Sequence, residues 1–529
     1  MAECISYRKT NYFSSLIADY LDQKETLKDL YNHFPNVESF QKQINEKSSF
    51  QQSHRTVLKN ALLKQYESFK ITEISESNIV ALEDQNTFTI TTGHQLNLFT
   101  GPLYFLYKIV STINLTKELK ESYPTYNFVP VYWMATEDHD FEEISYFNFK
   151  GKKIHWNRES AGAVGHFSTD GLAEVFELFS QDLGIGKNAE TLRELFTNAY
   201  LRHDNLTDAT RYLVNELFGT YGLVIVDGDD KALKELFVPY VKEDIFQNTA
   251  FQQVSKSAEK LADLGYNVQV NPREINMFYL TENGRERIVE VEGNYEVLDT
   301  DVSFSKEELL RELENYPEKF SPNVIMRPLY QEVILPNLCY IGGGGELAYW
   351  LELKSNFDVV NIPFPMLLLR NSALLVTAKQ AQKLKKLNIS YPDLFLKRDS
   401  FINKKVREIS NIDIDFSHQK KHLESQFKEL YNLAEQTDPS FIGAVKAQEI
   451  KQLKGLENLE KRLLKAQKRK LSDHVLRITD LQNELFPNQS LQERNLNFSE
   501  MFLMYGDELI PMLLENLKPL KGEFLVLEK

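Results

Sequence analysis

Apolar residues recur at helical spacing early in the chain, at Leu16, Tyr20, Leu27, Leu30 and Tyr31 and then at Leu58, Leu62, Leu63 and Tyr66. Residues 11–70 are therefore expected to be helical. The period changes at "TFTITT", Thr87 to Thr92, which alternates as a strand does. A helix from about Pro102 to Glu121 follows, with Leu103, Leu106, Tyr107, Val110 and Ile113 on one face, and then the near-continuous apolar run "FVPVYWMA", Phe128 to Ala135. Strand, helix and apolar strand at these lengths make a βαβ unit. "YGLVIVDGDD", Tyr221 to Asp230, and "LCYIGGGGELAYWLEL", Leu338 to Leu353, read as two more instances. Three such units predict a doubly wound sheet.

The pattern also divides the chain. Residues 1–380 read as the α/β core, interrupted by β-rich insertions around 145–190 and 240–320. The first holds a Lys-Gly turn in "ISYFNFKGKKIHWN", and the second an Asn-Gly turn between alternating runs. Beyond about residue 380 glycine becomes scarce and strand patterns vanish. Leu464, Leu471, Ile478 and Leu485 stand seven apart in a long helix, preceded by a shorter one from about His418 to Ala434. Residues 381–490 are thus predicted to be a helical, coiled-coil arm, and its stripe predicts a homodimer. Residues 491–529, ending in "GEFLVLEK", are expected to return to the core as a last strand.

Bulk properties narrow the function classes. The 529-residue chain carries a formal net charge of −15, which argues against a large nucleic-acid footprint but not against an anionic small substrate. No apolar run approaches the ~20 residues of a membrane span, and the first thirty residues lack a signal-peptide core. Two cysteines, Cys4 and Cys339, allow neither a disulfide framework nor a multi-cysteine zinc site. A cytoplasmic protein without membrane or nucleic-acid partners is the expectation.

In an open α/β sheet, ligands bind beyond the carboxyl ends of the strands. Four unusual segments fall there. "TGHQLNLFTGP" brings Gly93, His94, Gln95 and Gly101, which serve either a well-made turn or donors facing a cleft. Lys108, two turns into the helix, looks too distant to reach the same ligand. "TEDHDFEE" brings Glu137, Asp138, His139 and Asp140, a self-repelling set that is either an exposed cap or a site for cations or amines. Its spacing is not that of an EF-hand or a zinc helix, so the identity of any metal is unspecified and no metal ligands are assigned. Asp227 to Asp229 end a third strand. "GGGGE", Gly342, Gly343, Gly344, Gly345 and Glu346, lacks the P-loop lysine and is either a tight turn or a place for close backbone approach to a ligand.

Taken together, "TGHQLNLFTGPLYFLYK", "VPVYWMATEDHDFEEI", "SPNVIMRPLYQEVILPNLCYIGGGGELAYW" and "IPFPMLLLR" resemble the family of the cysteine-adding enzyme of bacillithiol biosynthesis, BshC. The resemblance implies a Rossmann-like core with a coiled-coil dimerisation arm. It implies a ligase that adds L-cysteine to the amine of glucosaminyl-malate, with ATP as activating cosubstrate and Mg²⁺ as a companion ion. The core is similar to class I aminoacyl-tRNA synthetases, although HIGH and KMSKS are missing and only the strand-end position of "GHQL" is similar to the first. On this reading His94, Gln95, the helix after Gly101 and the Gly342 to Gly345 amides donate to phosphate, Asp138 or His139 accepts the amine's proton, and other carboxylates hold an ammonium or Mg²⁺. The alternatives are a metal-dependent hydrolase or transferase using residues 137–143, and a nucleotide-sensing coiled-coil scaffold.

Overall fold

The computed structural model describes residues 2–158, 162–281 and 284–529. Five strands form one parallel sheet: β1 (Thr87–His94), β2 (Asn127–Met134), β3 (Val224–Asp227), β4 (Asn337–Gly342) and β5 (Met366–Leu369). Their spatial order is β3-β2-β1-β4-β5. The chain moves outward from β1 on one side and then resumes on the other, so the order reverses between β1 and β4, where a doubly wound sheet opens its crevice. Both faces are covered. Along β5, Met366 and Leu368 enter one core cluster and Leu367 and Leu369 the other, as the two-residue period of a buried strand requires.

Helix α1 (Tyr104–Ser122) joins β1 to β2 and is buried well beyond the single face its sequence suggests, Ser111, Thr112, Leu115 and Leu119 included. The C-terminal segment is the reason. Helix Leu509–Asn516 packs on α1, and Asn114 Nδ2 donates to the carbonyls of Leu514 and Leu517 at 2.9 and 2.7 Å. The final strand, Glu523–Glu528, pairs antiparallel with Ala2–Ser6 and parallel with Ala373–Val376, tying both ends of the chain together.

The first insertion is a hairpin followed by helices, not a β-rich segment. Tyr146–Phe149 pairs with Lys152–His155 across Lys150 and Gly151, both at positive φ (49° and 77°). Helices Leu172–Leu183 and Lys187–Tyr200 then bury Leu172, Val175, Phe179 and Leu183, and Leu192 and Phe196, at helical spacing. Helix α2 (Leu206–Phe218) leads into β3, and α3 (Lys231–Gln247) leaves it. The second insertion builds an antiparallel sheet from Met277–Thr281, Gly284–Val291, Asn294–Val297, Ser303–Phe304 and Phe320–Pro322. Asn283 of the expected Asn-Gly turn lies outside the described residues; the strands beside it pair Thr281 with Gly284. Helix α4 (Met326–Ile334) enters β4, and the short α5 (Gly344–Trp350) follows it.

The arm contains α6 (Arg398–Ile409), α7 (Ser417–Ala434), α8 (Pro439–Lys470) and α9 (Ser472–Leu485). α7 and α8 pack together around a small core of Phe427, Ala434 and Val445. The seven-residue stripe behaves differently from a free seam: the helix breaks at Leu471, and Leu464, Ile478 and Leu485 are buried in the main core, with α6 against both α8 and α9. The apolar side chains left exposed on α7 and α8 are others, Leu430, Leu433, Phe441, Ile442, Ile450 and Leu459. Among the described residues no helix is long and apolar enough to cross a membrane.

Candidate active site

A cavity of about 640 Å³ opens beyond the carboxyl ends of β1, β2 and β4, at the reversal point of the sheet. Gly93, His94 and Gln95 line it from β1, Thr136 to His139 from the loop after β2, Tyr340, Glu346 and Tyr349 from β4 and α5, and Arg273, Arg285, Arg287 and Arg327 from the second insertion and α4. Strand ends distant in sequence thus meet where the fold predicts. Gly93 allows close approach: a Cβ there would stand a tight 3.2 Å from the Tyr340 hydroxyl.

The floor is a network around Lys108. Its buried Nζ donates to the Gly93 carbonyl at 2.6 Å and pairs with Glu346 Oε1 at 2.6 Å. Lys108, expected to stand too far into the helix to reach a ligand directly, instead meets the strand end and Glu346, because a side chain leaning toward its helix N-terminus reaches back over β1. Burial lowers the Lys108 pKa while Glu346 opposes that; Lys108 in turn holds Glu346 below the usual carboxylate range against its own burial. Glu346 also accepts from Tyr340 Oη at 2.7 Å and from the Gly343 N–H at 3.0 Å. His94 is 8% exposed, packed on Tyr104 and Phe105, and its Nε2 has no hydrogen-bond partner among the described residues. Burial and the nearby Lys108 charge push its pKa down to about 3, so the ring is neutral.

The acidic wall is compensated by cations that the sequence did not single out. Lys234, buried on α3, gives hydrogen bonds to Glu137 Oε1 at 2.6 Å, Asp229 Oδ1 at 2.9 Å and the Glu318 carbonyl at 2.8 Å. Gln95 Nε2 donates to Asp138 Oδ2 at 2.8 Å and to Glu143 Oε2 at 2.7 Å. His139 accepts from Arg285 Nη1 through Nδ1 at 3.0 Å, and Arg285 lies over Phe278 and donates to Ser321 and to the Pro322 carbonyl. Among the described residues no three His, Cys, Asp or Glu side chains are grouped to hold a metal ion. A lysine stands at the heart of the carboxylates instead.

Other lining residues are basic. Arg327 spreads over the rings of Trp133 and Tyr340, 5.7 Å from each centroid. Arg273 and Arg287 line the cavity with no hydrogen-bond or ion-pair partner for their side chains among the described residues. Arg287 sits in a hairpin strand, Arg273 in the irregular stretch before the hairpin and Arg327 on α4, so no shared local pattern marks them in the sequence.

Several expected site residues do other work. Gly101 is at φ +62°, its carbonyl accepts from Asn497 Nδ2 at 2.6 Å, and it does not line the cavity. Asp140 caps helix Phe141–Ile144 by accepting from the Glu143 N–H. Gly342, Gly343, Gly344 and Gly345 also stand outside the cavity lining. A Cβ on Gly342 would lie 2.7 Å from Leu347 Cδ1, and the Gly343 amide is already taken by Glu346, so this loop makes a tight turn that delivers the glutamate. Cys339 is buried, and burial pushes its thiol well above the ordinary range.

Known proteins match this chain over both of its parts. Residues 1–371 match the model of the N-terminal Rossmann-like domain of bacillithiol biosynthesis BshC, and residues 373–529 that of its C-terminal coiled-coil domain. A protein of Flavobacterium johnsoniae is 63% identical over 99% of this chain and 98% of its own. One of Cytophaga hutchinsonii is 38% identical over 98% and 97%, and one of Bacillus mycoides 29% over 94% and 95%. All three bear the name "Putative cysteine ligase BshC".

Proposed function

From the chain's membership of the BshC family of bacillithiol biosynthesis, we propose that this ligase joins the carboxyl group of L-cysteine to the amine of glucosaminyl-malate in an ATP-dependent reaction. The observation that carries the reading is the two-signed cavity at the sheet's reversal point, lined by the carboxylates of Glu137 and Asp138 and by the guanidinium groups of Arg273, Arg285, Arg287 and Arg327. Each substrate has both signs: cysteine an ammonium and a carboxylate, glucosaminyl-malate an amine and two carboxylates. Asp138, fixed by Gln95, suits an ammonium. The unpaired Arg273 and Arg287 suit carboxylate or phosphate oxygens, which guanidinium groups bind in bidentate fashion.

Activation proceeds by attack of the cysteine carboxylate on the α-phosphorus of ATP, with pyrophosphate leaving and Mg²⁺ accompanying the phosphates. The neutral, buried His94 packs on Tyr104 and Phe105 beside these atoms without adding a charge that must be desolvated. The sugar amine then attacks the activated carbonyl and AMP departs. The Lys108–Glu346–Tyr340 network keeps β1 and β4 in register around these atoms. The enzyme works in the cytoplasm, and two copies associate through the exposed apolar residues of α7 and α8.

Exchange of labelled pyrophosphate into ATP tests the chemistry. Exchange that depends on cysteine is expected; amide formation at full rate without ATP would overturn the reading. Light scattering tests the association, and a monomer at micromolar concentration would remove it.

A further inference from the structure

We infer that His166, at the protein surface, governs the protonation of Glu137 in the cavity through Asp229 and Lys234, which makes it a positioning residue for deprotonation of the substrate amine. The inference rests on the ligase reading above for the identity of the amine, but not for the electrostatic link itself. The chain of contacts is continuous: His166 Nε2 to Asp229 Oδ2 is 2.8 Å, Asp229 Oδ1 to Lys234 Nζ is 2.9 Å, and Lys234 Nζ to Glu137 Oε1 is 2.6 Å. One end is open, with the His166 side chain 67% exposed; the other is enclosed, with Lys234 3% and Glu137 12% exposed. Glu137 Oε2 has no partner among the described residues and is free to receive a proton from the cavity.

The backbone holds the two ends together. The turn Val164–His166 is strapped to the acidic loop, Val164 N–H donating to the Asp138 carbonyl at 2.7 Å and Gly165 N–H to that of Thr136 at 2.8 Å. A Cβ at Gly165 would lie 2.5 Å from Thr207 Oγ1 and 2.8 Å from Thr136 Cβ, so the turn sits flush on the loop. Thr136 also donates to Asp227 Oδ1, which accepts the Asp229 N–H at 2.9 Å. His166 is thereby coupled to the cavity wall by side chains and by main chain.

The sign follows from sharing one lysine between two carboxylates. Besides Lys234 and Asp229, Arg285 of the insertion and Tyr330 of α4 act on Glu137, while Asp229, Asp227 and Lys234 act on His166. Protonated His166 compensates Asp229, leaving the Lys234 charge to Glu137 and favouring its carboxylate. Neutral His166 leaves Asp229 to draw on Lys234, and Glu137 holds a proton more readily. In the reaction one proton passes from the ammonium nitrogen to Glu137 Oε2, freeing the lone pair that attacks the acyl carbon. The second passes from the nitrogen of the tetrahedral adduct to the phosphate of AMP, which leaves with the C–O electron pair.

Two measurements test this. In the pH profile of kcat/KM for amide formation, His166→Gln is expected to move the acid limb upward by about half a pH unit, whereas His166→Lys keeps it at or below the wild-type position. Profiles that superimpose for all three proteins overturn the proposal, whatever the absolute rate. Independently of turnover, the NMR titration of His166 is expected to shift to lower pH in Glu137→Gln, since coupling between two sites is reciprocal. An unchanged titration overturns the electrostatic link. A wild-type protein that makes no amide while this shift is present would refute the ligase reading and leave the link standing.

Discussion

The cavity end of the core and the helical arm handle charge in opposite ways. Around the sheet, ion pairs are buried: Lys234 with Glu137 and Asp229, Lys108 with Glu346, Lys47 with Glu332, and Arg370 with Glu493. At the base of the arm Lys405 still pairs with Asp393 out of solvent, but farther out the pairs reach the surface, as where the partly exposed Arg407 and Lys420 share Glu460. Hydrophobic residues follow the inverse rule, almost all enclosed around the sheet but exposed at Leu433, Ile450 and Leu459 on α7 and α8. Buried pairs fix groups in one geometry and cost much to break, whereas surface pairs are screened and add little. The comparison shows which region can hold reacting atoms in place and which is built for contact.

The sharpest way to break the contrast is Lys234→Met. It strands Glu137 and Asp229 as buried carboxylates, and a loss of about 3–5 kcal/mol is expected, together with loss of turnover. Urea unfolding at pH 7 reads it, and a change below about 1 kcal/mol would show that water already screens the cluster.

Asp138→Asn separates site from scaffold. Its side chain is partly exposed and accepts from Gln95, so thermal stability is expected to hold while amide formation falls at least about 100-fold. Full turnover would remove Asp138 from the site.

A smaller effect concerns pH. Asp244 on α3 is buried against Asn276, and burial raises its pKa to about 7, outweighing the Asn276 hydrogen bonds. Because the folded value is above the unfolded one, the associated stability is fully present below about pH 4 and is lost as pH rises toward and through 7. Unfolding free energy measured from pH 4 to 8 is expected to carry this downward component in the wild type and to lack it in Asp244→Asn. The same slope in both would assign it to another group.

The smallest effect belongs to the arm. Glu460→Gln removes both surface pairs, and less than about 1 kcal/mol is expected in thermal unfolding, diminishing further with salt. A loss comparable to that of Lys234→Met would erase the distinction between the regions.

Much of the fold was legible in the residues because it rests on local periodicity. The alternating "TFTITT" became β1, the apolar "FVPVYWM" became β2, and the parallel strands carried the polar clusters to one edge. The first insertion was misread past its hairpin, since Leu172, Val175, Phe179 and Leu183 express a helical period that the turn signal overshadowed. Within the site, His94, Gln95, Glu137, Asp138, His139 and Glu346 were visible as odd residues at strand ends. Gly101, Asp140 and Gly342 to Gly345 were equally conspicuous but satisfy backbone geometry, a demand that looks the same in sequence as ligand binding.

What the sequence alone determined was the alternation of strand and helix, the family, and the strand-end placement of the polar motifs, because hydrophobic period and turn chemistry act between near neighbours. Only the tertiary structure decided the rest. Lys234 lies 97 residues from Glu137, Arg285 146 from His139, and the C-terminal helix some 400 from the Asn114 it covers. A charge becomes a catalytic wall or a neutralised pair according to which distant residue the fold sets within about 3 Å of it, and no local pattern records that distance.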